Sequence, residues 1–540
     1  MRFTILLGCA MLVSSTAFAA QTVQQRVDRV FDAYDASRTP GCALGVIRDG
    51  AFVYRKGYGA ASLELGVPLS AQSVFYMGSV SKQFTAASVV LAAEQGLLAL
   101  DDDIRKYIPE LPNYGEPVTL RQMLHHTSGF RDFLGLLELS GRSILDRHPT
   151  DELIELIARQ KALNFKPGAE YLYSNTNYFL LAEVIKRVAK KPLSVFAAEN
   201  IFRPLGMTHT RFYDDSTVVV PGRVPAYEAG RDGTFRMGWS TNYDIVGGGG
   251  LMSSVDDLLL WDRNFYENRL GSGSFLVEMQ TPGVLNDGRQ ITYALGLERG
   301  SYRGLSVVEH GGALIGYRTE ILRFPEQRFT VLCLCNLSNA DPAGLAHQVA
   351  DIYLEKLLQP RPGAPQSVGS AAAIGLFVGK YLDPVSHTVV AFTVDGDRLA
   401  WGGLPLGRIG DNRFQTAGGA TLDFDGTGEA MKVTGSRDEQ IIFVAEKLGA
   451  ANLAGRALAD YAGTYESAEL DATYRLAVDG GQLTLRNRWN PKLVLIPLVP
   501  DEFDTAGLGT LVFRRDAKGR VAGLSLFVDR IRNVTFEKIH

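Results

Sequence analysis

The stretch FYMGSVSKQF, residues 75–84, places Gly78, Ser79 and Lys82 within one turn of what reads as a helix start. Apolar residues at Phe84, Ala87, Val90 and Leu91 continue the helical period, so the sequence predicts a helix from Ser79 to about Glu94. Ser79 and Lys82 are three residues apart and therefore share a face. A serine becomes a nucleophile only when a neighbour takes its proton, and a lysine can do so only if its own pKa is brought down. Burial and the positive end of a helix both push a lysine in that direction. Ser-x-x-Lys also arises by chance in a chain of 540 residues, so the surrounding pattern has to decide.

Upstream, GCALGVIRDGAFVYRKGYG reads as strand, Asp49-Gly50 turn, strand. Downstream come helical patterns over LRQMLHHTSGF, residues 151–159, 177–189 and 255–265, and then three strands, LSVVEHGG, RTEILRFP and RFTVLCLCNLS. Early strands, central helices and late strands predict an α/β fold whose chain ends share one antiparallel sheet flanked by helices. After residue 358 the segment QPRPGAPQSVGSAAA is rich in Pro, Gly and Ser and reads as a linker. Beyond it the sequence repeats itself. FVGKY at 377 returns as YAGTY at 461, VDGDRL at 394 as VDGGQL at 478, and RFQTAGGATLDF as EFDTAGLGTLVF. Two copies of a small antiparallel β-barrel are expected. The boundaries are a leader at 1–19, a catalytic unit at 20–358, a linker at 359–373, a first barrel at 374–447, a short linker at 448–457 and a second barrel at 458–540.

Hydrophobic residues make up 46% and charged residues 21%, a globular profile. The net charge of −4 offers no basic field for nucleic acid. The N-terminus, with Arg2, an apolar run from Ile5 to Val13 and small residues at Ala17 and Ala19, predicts a cleaved signal peptide and a periplasmic or secreted product. No later run is long and apolar enough to span a bilayer. Cys42, Cys333 and Cys335 remain in the mature chain; the simplest expectation is buried small hydrophobes, with a bridge from Cys42 to either of the others left open.

Two further segments carry chemistry. Tyr173, Ser174 and Asn175 follow KPG and precede a helix; a phenol can relay a proton and an amide can orient a carbonyl. Tyr266-Glu267-Asn268 spells the same pattern inside a charged helix and serves as a decoy. His310-Gly311-Gly312-Ala313 follows a strand with small residues that let a ligand approach backbone, and the N–H groups of Ser79 and Ala313 would make an oxyanion hole. There is no Gly-x-Ser-x-Gly elbow and no His-Glu-x-x-His. His125-His126 is unsuited to share a metal on a helix, and the glycines 247–250 read as a tight turn. No metal and no cofactor is expected.

Taken together and in this order, the motifs resemble those of the penicillin-recognising serine hydrolases, which include class C β-lactamases, D-alanyl-D-alanine carboxypeptidases, esterases and D-aminopeptidases. MLHHTSG, FKPG, VGGGGLMSS and HGGALIGYRT support the resemblance over residues 25–358. It implies Ser79 as acylated nucleophile, Lys82 as its activating neighbour and Tyr173 as proton shuttle. Asn175, His310, Gly312 and Ala313 would bind substrate. His310 stands where β-lactamases usually carry the lysine of Lys-Thr-Gly, as in the aminopeptidase and esterase branches. The two added barrels resemble the layout of D-aminopeptidases, and by that analogy Asp501 and Glu502, in the segment IPLVPDEFDTAGLG, would gate the cleft from the second barrel. The expected function is acyl-enzyme hydrolysis of short D-residue peptides or amides. A β-lactamase, carboxypeptidase or esterase is the alternative, and a non-catalytic binder or sensor of peptidoglycan fragments is the alternative from another class. The expected partners are small molecules or short peptides, with a homodimer left open.

Overall fold

The computed structural model describes residues 21–34, 38–238, 243–360, 374–416, 419–437, 440–449, 456–488, 490 and 492–539. The expected leader lies outside them, as do most of the first linker and of the second.

The early hairpin forms as its turn dictates: Asp49 and Gly50 both have positive φ, which the right-handed twist of a two-residue hairpin requires. Its strand Cys42–Arg48 pairs on one side with Ala51–Tyr58 and on the other with Phe329–Cys335, so the two ends of the catalytic unit do share a sheet. The full antiparallel order is Glu298–Tyr302, Leu305–Leu314, Tyr317–Phe324, Phe329–Cys335, Cys42–Arg48, Ala51–Tyr58. Both faces are covered. Leu44, Val46, Leu322 and Val331 join a core with Val27, Ala346 and Val349 of the terminal helices Val23–Val30 and Pro342–Tyr353. Ala43, Ile47, Ile321 and Leu332 join the larger core with Phe84, Val255 and Leu258.

Strand Glu298–Tyr302, with the sequence ERGSY, has no apolar run and was invisible to a hydrophobic pattern. Its pairing with Leu305–Leu314 stops at Glu298 opposite Glu309. From His310 to Leu314 that strand pairs, among the described residues, with Tyr317–Phe324 on one side only, and this stretch lines the cleft.

The cysteine expectation needs correction. Antiparallel register sets Cys42 directly opposite Cys335, and the two form a disulfide. Cys333, two residues along the same strand, keeps a buried free thiol. The three sulfurs lie within 4.8 Å of one another, but the bond consumes two of them, which leaves too few thiolates for a metal.

The repeats build two nine-stranded antiparallel sheets, nearly closed barrels with the same strand order: the first strand of each copy pairs with its last strand, Gly379–Leu382 with Gln440–Lys447 and Gly463–Ser467 with Ile531–Lys538. The second barrel's core, including Tyr461, Tyr465, Phe503 and Ile531, is continuous with the catalytic core, whereas the first barrel packs around its own cluster of Phe377, Phe392 and Phe424. The weld is a buried ion pair: Arg131 Nη1 meets Glu469 Oε2 at 2.6 Å, each side chain 1% exposed. Arg131 also donates to the carbonyls of Arg532 and Asn533, while Glu469 accepts from the Lys161 and Thr535 amides. The first barrel touches the second through His387 with Glu502 and Lys380 with Asp504.

Candidate active site

The chain enters the site from Phe75–Tyr76, crosses a 3-10 turn at Gly78–Val80 and becomes an α-helix at Ser81–Glu94. The α-helix therefore starts two residues later than its sequence pattern suggests. Gly78 has φ +53, and a Cβ there would lie 2.5 Å from the Ala313 amide nitrogen. Only glycine meets both demands, and its absence of side chain brings the Ala313 N–H against the turn that carries Ser79. Ser81 Oγ pins the turn by donating to Gly78 O at 2.6 Å and accepting from Leu251 N. Ser79 stays partly exposed between buried Gly78 and Val80, so its hydroxyl faces the cleft.

Lys82 is fully buried. Its Nζ donates to Ser79 Oγ at 3.1 Å, to Asn175 Oδ1 at 2.9 Å and to Gly248 O at 2.7 Å. Desolvation holds its pKa well below the ordinary lysine value; Asp132 opposes that shift and Arg530 adds to it. Asn175 is the first residue of helix Asn175–Ala189, and Asp132 Oδ2 fixes it by accepting from both its backbone N and its Nδ2. The amide oxygen is thereby turned to Lys82.

Tyr173 leans over the same lysine, with Nζ 4.7 Å from its ring centroid. Among the described residues its hydroxyl is buried without a hydrogen bond of good geometry, yet close enough to Ser79 for that hydroxyl to draw the phenol pKa down. Burial is the stronger influence and leaves the phenol well above its usual value. The ring rests on His126, centroid to centroid 4.1 Å, and His126 Nδ1 accepts from Ser174 N at 3.1 Å. His126, set aside as a metal ligand, is the floor of the site.

His310 is 5% exposed, with Nε2 3.0 Å from the Tyr293 hydroxyl and Nδ1 2.7 Å from Gly311 O. Burial first, then the charge on Lys82, lowers its pKa to about 4, so the imidazole is neutral at ordinary pH. Gly312 has no room for a side chain: a Cβ would lie 2.1 Å from Met77 O and 2.4 Å from Thr319 Oγ1.

Ser79, Tyr173, Asn175, His310, Gly312 and Ala313 thus line one cavity of about 740 Å³, with Lys82 beneath. Asp501 and Glu502 do not line it, and this corrects the gating expectation. The segment from Ile496 is no irregular loop but a hairpin, Ile496–Val499 with Glu502–Asp504, because Leu498 and Phe503 point into the barrel core and Pro497 sits on the edge strand. Asp501 binds Arg456, Arg515 and Tyr461, and Glu502 binds His387. The second barrel does reach the cleft, from a different turn. Arg530, beside the strand Ile531–Lys538, lines the cavity and stacks 4.8 Å from the Tyr173 ring centroid. Sequence reasoning missed Arg530, Asp132 and the Gly248 carbonyl. Arg530 lies in a turn with no motif, whereas Asp132, an N-cap before an apolar run, carried a readable structural signal without a functional one.

The arrangement offers a hydroxyl beside a neutral-leaning amine and a phenol that stays protonated, with the Ala313 amide nitrogen packed against Gly78, next to Ser79. Comparison with known proteins agrees. A family model described as Beta-lactamase matches residues 23–354. D-aminopeptidases of Brucella melitensis biotype 2 and Cereibacter sphaeroides are each 28% identical, the first over 93% of this chain and 96% of its own length, the second over 84% and 85%. In fold, the chain is similar to an octameric penicillin-binding protein homologue from Pyrococcus abyssi (TM-score 0.56, 22% identity, 86% of this chain and 98% of that one). It is also similar to the D-amino acid amidase of Ochrobactrum anthropi SV3 (TM-score 0.52, 20% identity, 62% and 98%). With the family model spanning more than half of its length, the chain belongs to the beta-lactamase family and is a serine hydrolase of that kind.

Proposed function

We propose that the protein hydrolyses short peptides or amides that begin with a D-residue, through an acyl-enzyme on Ser79. The observation that carries the chemistry is the 3.1 Å contact between Lys82 Nζ and Ser79 Oγ in a setting that favours the neutral amine. Lys82 takes the Ser79 proton as Oγ bonds to the substrate carbonyl carbon. The Ser79 and Ala313 N–H groups hold the oxyanion. Tyr173 gives its proton to the leaving nitrogen as the C–N bond breaks and recovers one from Lys82. Water then cleaves the ester by the reverse relay.

Substrate class rests on the D-aminopeptidase relatives, similar along nearly the whole chain, and on His310, whose neutral ring offers no cation for a substrate carboxylate. Export belongs to the same proposal, since the Cys42–Cys335 bond suits an oxidising compartment. The test is a comparison of kcat/KM for D-alanine p-nitroanilide, its L-enantiomer and its N-acetylated form. A clear preference for the free D-substrate supports the proposal; equal rates on all three, or preference for the acetylated form, refute it.

A further inference from the structure

The cavity extends past the free edge of strand Leu305–Leu314 to a group of carboxylates that the hydrolytic steps do not use. Glu320 stands opposite Gly311 across the strand pair. It is 5% exposed, lines the cavity, and its Oε1 has no hydrogen-bond partner among the described residues. Gly311 is what opens the way to it, because a Cβ there would come within 3.0 Å of Glu320 Oε2. Glu298 and Asp341 line the same cavity, and Glu298 pairs across strands with Glu309. Alternation puts Glu298, Glu309, Gly311 and Glu320 on one face of the sheet, the face opposite His310 and Gly312.

A buried carboxyl with one oxygen unpartnered is expensive, and placing it among other carboxylates adds repulsion. Burial is the largest cause of its raised pKa, then Glu309 and Glu298; the Ile321 backbone amide opposes them and Asp341 adds to them. Such a group is satisfied by a cation with several N–H donors. The cavity's own cations are placed elsewhere: Arg318 donates to the carbonyls of Ile315 and Tyr317, and Arg530 stacks on Tyr173.

We propose that Glu320, with Glu298 beside it, forms a subsite for a primary ammonium group of the substrate, reached from Ser79 across Gly311. This rests on the hydrolase reading of the same cleft. Two sources share that chemistry: the free α-amino group of the acyl residue, and an ammonium carried by the leaving group.

The test is equilibrium binding to the Ser79→Ala protein, which separates the subsite from catalysis. The probes are D-alaninamide, N-acetyl-D-alaninamide and N-acetyl-D-alanine 2-aminoethylamide. At least one ammonium-bearing probe is expected to bind about tenfold or more tighter than the neutral one, as a charge-assisted hydrogen bond would give. Which of the two does so identifies the source. Adding Glu320→Gln is expected to bring the ratio close to one; Glu298→Gln, on a more exposed side chain, is expected to reduce it and covers the case in which the Glu320 variant misfolds. No preference for either ammonium probe, or a preference that survives both substitutions, overturns the proposal. If the preference holds but wild-type protein neither acylates nor hydrolyses D-aminoacyl amides, the subsite stands and the hydrolytic proposal falls.

Discussion

Lys82 Nζ stands 3.1 Å from Ser79 Oγ, and its other two acceptors are neutral oxygens, the Asn175 amide and the Gly248 carbonyl. A carboxylate in direct contact would hold the proton on the lysine; amide oxygens do so far less. Acylation needs the neutral amine, so the rate should rise with pH through the lowered Lys82 pKa and level off well below 10.5, the ordinary lysine value. The Tyr173 phenol, raised by burial, should not add an alkaline loss before the usual tyrosine range is passed. A pH profile of kcat/KM checks both; an acid limb centred near 10.5 contradicts the assignment.

Asp132 acts through Asn175. Its Oδ2 accepts from the Asn175 backbone and side-chain amides, and that fixes which way the amide oxygen points. Asp132→Ala should lower kcat by about 10²-fold, the order expected when a site is misplaced by an ångström. Asp132→Asn should recover part of the loss, because Oδ1 of an amide can still accept. Equal loss in both would indicate that the negative charge, and not the orientation, matters.

The Arg131–Glu469 pair welds the second barrel to the loop that carries Asp132. Burial alone would raise the Glu469 pKa, but Arg131 and the Lys161 and Thr535 amides outweigh it and hold it below the ordinary 4.5. A carboxyl lowered in the folded state stabilises fully above its unfolded pKa, and the contribution is lost as pH falls through the lowered native value. Glu469→Ala strands a buried guanidinium and should cost about 3 to 5 kcal/mol. Denaturant unfolding at neutral pH measures this, and the wild-type advantage over the variant should shrink in acid. A loss near zero would mean that the barrel docks by its apolar contacts alone.

Penicillins and cephalosporins should be poor substrates. His310 is neutral above about pH 4 and both its ring nitrogens are engaged, so it supplies no cation to the carboxylate these molecules carry. Glu298 and Glu320 in the same cavity add carboxyl groups and no cation. The kcat/KM for nitrocefin is expected to fall about tenfold or more below that for a D-aminoacyl amide, the loss of one charged hydrogen bond. Efficient nitrocefin hydrolysis would overturn this account of the third motif.

The sheet and the repeats were legible because they rest on signals that local sequence carries: Asp49-Gly50 names its own turn, and two barrels spell the same words twice. That Ser79, Lys82 and Tyr173 lie together was legible because the proposed chemistry demands particular side chains. What escaped was set by tertiary placement. Strand Glu298–Tyr302 is too polar to announce itself and is fixed by its partner strand. The prolines of residues 496–500 hid an alternation that buries Leu498 and Phe503, and so a barrel hairpin passed for a gating loop. Arg530 enters the site because its barrel docks there, through the Arg131–Glu469 pair, a shared apolar core and bonds from Asp132 and Asn164 to the Arg530 carbonyl.

The central claim is that Ser79 is the residue acylated. The most direct measurement is intact-mass analysis of protein held with a slowly deacylating D-aminoacyl ester, followed by peptide mapping. The account requires one acyl group, on the peptide containing Ser79, absent from Ser79→Ala protein that unfolds at the wild-type temperature. An adduct on any other residue, or one that persists in Ser79→Ala, would contradict it.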